Sequence, residues 1–133
     1  MSALFDRITR LFETGHALEA PQLWIDPRIH QIEAFKPAAV LVAITDRPDP
    51  GMMFLHRPST MRAHAGQIAF PGGRIDPGET PVEAALREAW EELGIRPEDV
   101  QVIGPSDRYR TGSGYEITPV VGVIPSDLKI HPN

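Results

Sequence analysis

The stretch PGGRIDPGETPVEAALREAWEELGI, residues 71–95, decides how this chain is read. It opens on a glycine-rich turn, passes a second turn at DPGE (76–79), and ends in a helix with clear boundaries. Thr80 is a good N-cap, Pro81 falls at the first helical position, and Glu83 completes a Thr-x-x-Glu capping box. Gly94 closes the helix as a C-cap glycine. At about 100° per residue, Val82, Leu86, Ala89, Trp90 and Leu93 share one stripe, so all five are expected to face the core.

The same helix gathers Glu83, Glu88, Glu91 and Glu92. Glu88 and Glu92 are four apart and stack on one edge of the apolar stripe, with Glu91 further round. Like charges at that spacing cost a helix a few tenths of a kcal/mol, and the C-terminal end of the macrodipole disfavours anions. Two local rules broken together point to a functional site. A divalent cation reverses the penalty, because Mg²⁺ and Mn²⁺ take hard oxygen ligands from carboxylates and substrate phosphates.

From Gly73 the chain reads glycine, five residues, Glu79, seven residues, then Arg87-Glu88-Ala89-Trp90-Glu91-Glu92-Leu93-Gly94-Ile95. This resembles the Nudix box, Gly-x5-Glu-x7-Arg-Glu-U-x-Glu-Glu-x-Gly-U, with U bulky and aliphatic. All its fixed positions match, a coincidence on the order of one in 10⁸ at average residue usage. Ala89 at a U position is the one departure. The resemblance implies a Nudix hydrolase that cleaves a nucleoside diphosphate linkage with Mg²⁺ or Mn²⁺. Carried over, Glu88 and Glu92 are the expected direct metal ligands, and Glu91 a further ligand, directly or through water. Arg87 is expected to orient these carboxylates by bidentate pairing that includes Glu79. Gly72 and Gly73 are expected to let the backbone approach closely, with positive φ tolerated there. The implied fold is α/β (α+β), a mixed sheet packed between helices, as one domain over residues 1–133 with the box at 73–95.

Upstream, MFLHRPSTMRAHAGQIAFPGG (53–73) resembles the motif of the coenzyme A pyrophosphatase subgroup, Leu-Leu-Thr-x-Arg-[Ser/Ala]-x3-Arg-x3-Gly-x3-Phe-Pro-Gly-Gly. Arg57, Arg62, Gly66, Phe70, Pro71, Gly72 and Gly73 match in register; Met53, Phe54, Leu55 and Pro58 depart from it. Arg57 and Arg62 are suited to bind phosphates as bidentate donors, with His64 and Gln67 as candidate helpers. The subgroup implies hydrolysis of coenzyme A or its derivatives to 3′,5′-ADP and 4′-phosphopantetheine. The alternatives are another dinucleotide-like substrate, such as ADP-ribose or NADH, and a non-catalytic nucleotide-binding module or inactive fragment.

The rest of the chain sets bounds. Its 133 residues suit one domain, and a net charge of −5 argues against nucleic-acid binding through a basic surface. Cysteine is absent, which excludes disulfides and thiolate metal sites. The longest apolar run, AAVLVAI at 38–44, is too short for a membrane span, and a cytoplasmic protein is the expectation. Residues 3–18 have helical apolar spacing. Strands are expected at 38–46, 52–57 (returning on 38–46 as a hairpin), within 67–73 (a short strand running into the glycine-rich turn), 100–104 and 117–124. SDLKIHPN after Pro125 is too short for a useful helix. The expectation is therefore a chain truncated before the family's C-terminal strand and helix, with an apolar sheet face open to a second copy as a homodimer.

Overall fold

The computed structural model describes residues 2–17, 27–56 and 68–130. Its backbone follows the order α1 (Ala3–Ala17), β1 (Lys36–Asp46), β2 (Leu55–His56), β3 (Ile68–Ala69), β4 (Gly72–Arg74), α2 (Pro81–Leu93), β5 (Gln101–Pro105), β6 (Tyr109–Arg110) and β7 (Tyr115–Pro125), with short 3-10 turns at Pro27–Gln31 and Pro97–Asp99. Arg57, Arg62, His64, Gly66 and Gln67 lie outside the described residues.

A mixed sheet runs in the order β4-β1-β7-β5, with β6 also paired to β7. β1 and β7 are parallel over their whole length, from Lys36 opposite Tyr115 to Asp46 opposite Pro125. The other pairings are antiparallel: β4 on β1, and β5 and β6 on β7. Side chains alternate across a strand, so each face of the two central strands meets a different helix. Ala39, Leu41, Ala43, Val120 and Ile124 pack with Ala84, Ala85, Ala89 and Leu93 of α2. Val123 packs with Leu4 and Phe5 of α1, joined by Ile8, Ile44 and Ile103. A strand covered on both faces reads as a continuous apolar run, which is why AAVLVAI does not alternate with polar residues.

The core asks for small residues where α2 crosses β1. Ala84, Ala85 and Ala89 are fully buried against Ala39, Leu41 and Ala43, so Ala89 in place of a bulky aliphatic is a close-packing choice. After β7, Leu128 and Ile130 pack on the same cluster. On the α1 side, Val40, Val42, Ile117 and Val121 are only partly buried.

Three expectations need correction. Trp90 is 52% exposed and lies off the buried stripe, because a side chain of that size does not fit where alanines set the helix-to-sheet distance. The 52–57 segment does not return as a full strand on β1. Met52 makes a single bridge to Ile44, Met53 N–H donates to the Ala43 carbonyl at 2.9 Å, and β2 then turns away to pair with β3. The expected glycine-rich turn at Gly72-Gly73 is instead strand β4, separated from β3 at Pro71, which has no N–H to give a ladder.

Candidate active site

The helix that carries the acidic cluster is fixed at both ends. Thr80 accepts the Glu83 N–H at 3.1 Å and Glu83 Oε1 accepts the Thr80 N–H at 2.9 Å. Gly94 takes the left-handed cap at φ 71° and donates to the Trp90 carbonyl. These caps set the rotation of α2, and so which glutamates reach the sheet.

β4 is the edge strand of the sheet, and α2 closes that edge. Ala39 pairs with Gly73, so Gly73 turns its backbone groups toward β1 while Gly72 and Arg74 turn theirs outward. Glu92 Oε1 accepts the outward Gly72 N–H at 2.9 Å. Arg87 Nη2 donates to the outward Arg74 carbonyl at 3.1 Å. Two side chains of the box thus satisfy backbone groups that an edge strand otherwise leaves to solvent.

Arg87 then collects the other carboxylates. Its Nε and Nη2 donate to the two Glu79 oxygens at 2.8 and 3.1 Å, a fork-to-fork pair. Nη1 donates to Glu88 at 2.9 Å and to Glu91 at 3.3 Å, and Nη2 lies 3.5 Å from Asp76. The Glu79 hydrogen bonds raise the Arg87 pKa further above its ordinary range, so the guanidinium stays charged. The same pairing, with the Asp76 N–H, holds the Glu79 carboxyl below its usual value of 4.5. A group with a depressed folded pKa adds stability above the unfolded value and loses it as pH falls through the folded one. The melting-temperature gap between the unmodified protein and Glu79→Gln is therefore expected to be open at pH 7 and to close well below pH 4.5. A gap that stays constant from pH 7 to pH 3 contradicts this brace.

Gly72 and Gly73 are needed for space. Neither has positive φ; among the described glycines that conformation falls at Gly78, Gly94, Gly104 and Gly114. The expectation of positive φ at the glycine pair is corrected accordingly. A Cβ on Gly73 would lie 2.6 Å from Glu88 Oε1, and one on Gly72 would lie 2.3 Å from the Ala39 carbonyl oxygen. Gly73 admits a carboxylate and Gly72 admits a neighbouring strand.

Glu88 and Glu92 thus lean on consecutive residues of β4, Glu88 with 18% of its side chain exposed and Glu91 with 53%. Around Arg87 stand Asp76, Glu79, Glu88 and Glu91, with Glu92 one turn beyond Glu88, so carboxylates far outnumber the guanidinium. Among the described residues no three His or carboxylate side chains already form a closed cation cage. The donor set is all hard oxygen, which fits a cation that shares its shell with waters and substrate oxygens. Composition made the carboxylates visible in sequence. The partners that sequence reasoning missed are the Gly72 N–H, the Arg74 carbonyl and Asp76, whose roles follow from β4 being an edge.

The model of the NUDIX domain matches residues 35–128, most of the chain, and the chain belongs to that family. Among similar proteins, the uncharacterized Nudix hydrolase NudL of Pectobacterium atrosepticum is 42% identical over 132 residues, covering 98% of this chain and 64% of the relative. NudL of Escherichia fergusonii is 52% identical over 95 residues, 71% of this chain and 50% of the relative. The chain spans about half the length of several of the curated relatives it matches. A solved Nudix hydrolase from M. smegmatis, RenU, superposes with a TM-score of 0.64 at 26% identity, over 75% of this chain and 65% of that one. A C. elegans Ap4A hydrolase superposes at 0.62 with 19% identity, over 72% and 71%, a likeness of fold alone. No helix among the described residues is long and apolar enough to cross a membrane.

Proposed function

We propose that the chain hydrolyses a nucleotide pyrophosphate linkage with a divalent metal, and that its substrate is coenzyme A or a derivative, released as 3′,5′-ADP and 4′-phosphopantetheine. The observation that carries the reaction is the carboxylate cluster braced by Arg87 against the β4 edge. The support for the substrate is the register of Arg57 and Arg62 ahead of Phe70-Pro71-Gly72-Gly73.

Glu88 and Glu92 are the residues to hold Mg²⁺ or Mn²⁺, with Glu91 adding an oxygen directly or through water. When bound, the ion supplies charge neutralisation at the pyrophosphate and an acidified water. The chain's own residues do the rest. Arg87 fixes the carboxylate orientations, and Glu79 fixes Arg87. Gly73 leaves room for Glu88 to stand against the strand. The attacking water forms one P–O bond as the bridging P–O bond breaks, and its proton passes to a carboxylate oxygen of the cluster. Arg57 and Arg62, which precede the Phe70-Pro71-Gly72-Gly73 run in sequence, are the residues to bind the phosphates of the substrate.

The test compares kcat/KM for coenzyme A, ADP-ribose, NADH and nucleoside triphosphates in Mg²⁺ and Mn²⁺. Coenzyme A is expected to lead by about tenfold or more, the scale of one well-placed phosphate contact. A lead for ADP-ribose or NADH overturns the substrate and keeps the reaction. No metal-dependent turnover of any of them overturns the reaction and leaves a binding module.

A further inference from the structure

Phe54 and Phe70 stack with ring centroids 4.8 Å apart and planes tilted by 24°. The ladder of β2 and β3 puts them there. Leu55 pairs with Ala69 in antiparallel register, so the next position outward sets Phe54 opposite Phe70. Both backbones are then tied to β1. Met53 N–H donates to the Ala43 carbonyl at 2.9 Å, and Leu41 N–H donates to the Pro71 carbonyl at 2.8 Å. The stack is held from both sides.

Its place and its exposure do not suit a pair that only packs. Phe70 stands two residues before Gly72, whose N–H is held by Glu92, so its Cα lies within about 7 Å of the Gly72 Cα. Phe54 keeps 45% of its surface exposed. A half-exposed aromatic, backed by a second ring whose residue lies two positions from the Gly72 that meets Glu92, offers a flat π-face to a ligand of that site.

We propose that Phe54, backed by Phe70, is the platform on which the nucleobase of the substrate stacks. The proposal rests on the nucleotide pyrophosphate reading above and adds to it the residue that holds the base. Every base presents a π-face, so such a platform grips the nucleoside half and is indifferent to the group on the far side of the pyrophosphate.

The full chain, unmodified and as Phe54→Leu and Phe54→Trp, is titrated calorimetrically with ADP and with ribose 5-phosphate in Mg²⁺ buffer. Leucine keeps an apolar side chain and removes the ring. Phe54→Leu is expected to weaken ADP about tenfold, within the span of base–aromatic stacking. Ribose 5-phosphate, which has no base, is expected to bind all three proteins alike, and Phe54→Trp to hold ADP at least as well as the unmodified chain. Melting curves confirm that each variant is folded at the titration temperature. Unchanged ADP affinity in Phe54→Leu overturns the platform, as does an equal loss for both probes or a failure of the unmodified chain to prefer ADP over ribose 5-phosphate. Coenzyme A hydrolysis by the unmodified chain is followed in parallel. Turnover with ADP binding that ignores Phe54 overturns the platform alone. Phe54-dependent ADP binding without turnover overturns the hydrolase reading alone.

Discussion

Replacing Glu92 by Gln is expected to lower kcat about a thousandfold, the scale of a group worth several kcal/mol to the transition state, while the protein stays folded. The amide keeps an oxygen in the place of Oε1, so the Gly72 N–H still finds its acceptor and α2 still closes the β4 edge. The full negative charge is what the substitution removes. Two small stability terms oppose one another. The Gly72 hydrogen bond loses its charge assistance, and the like-charge stacking of Glu88 and Glu92 is relieved. The melting temperature is therefore expected to move by no more than about 2 °C. Steady-state kinetics beside a thermal melt separate the two properties. Turnover within a few-fold of the unmodified protein removes Glu92 from the proposed metal site. A large drop in melting temperature shows instead that its charge serves the edge of the sheet.

The sequence made α2 legible because its signals are local. Thr80, Pro81, Glu83 and Gly94 each act within one turn of helix, and the observed caps lie where those residues stand. The box spacing was legible for the same reason. What could not be read was anything set by distance between elements. Trp90 looks apolar and sits near the buried stripe, yet the close approach of three alanines to β1 leaves its ring in water. The 52–57 segment has strand composition, but its partner is Ile68–Ala69 and not a continued hairpin on β1, a choice made by non-local pairing. The parallel pairing of β1 with β7 brings residues some eighty positions apart side by side. No periodicity within either strand encodes that. The Phe54–Phe70 stack belongs to the same class: one residue departs from the upstream motif, the other matches it, and only the β2–β3 register puts them together.

The adjacent glycines of β4 are expected to fail in different ways when each is replaced by alanine. At Gly72 the new Cβ meets backbone: the Ala39 carbonyl oxygen at 2.3 Å and the Val40 Cα at 2.8 Å. Neither atom can withdraw without opening the β4–β1 pairing, so Gly72→Ala is a folding lesion. Overpacking of this kind costs about 3 kcal/mol, or roughly 10 °C in melting temperature for a domain of this size. At Gly73 the three atoms nearest the new Cβ all belong to the Glu88 carboxylate, with Oε1 at 2.6 Å and Cδ at 2.7 Å. A flexible side chain can swing away at small cost in stability. Glu88 then leaves the position it shares with Arg87 Nη1, and the cluster loses its geometry. A displacement of about 1 Å in such a site is worth on the order of a hundredfold in rate. Gly73→Ala is thus expected to melt within about 3 °C of the unmodified protein and to turn over about a hundredfold more slowly. Gly72→Ala, assayed well below its lowered midpoint, is expected to retain the larger share of activity. The decisive comparison is kcat and melting temperature for both variants in one buffer. A Gly73→Ala protein with full activity would mean that Glu88 works from a position other than the one against β4, and the assignment of Glu88 as a metal ligand from that geometry would fall with it.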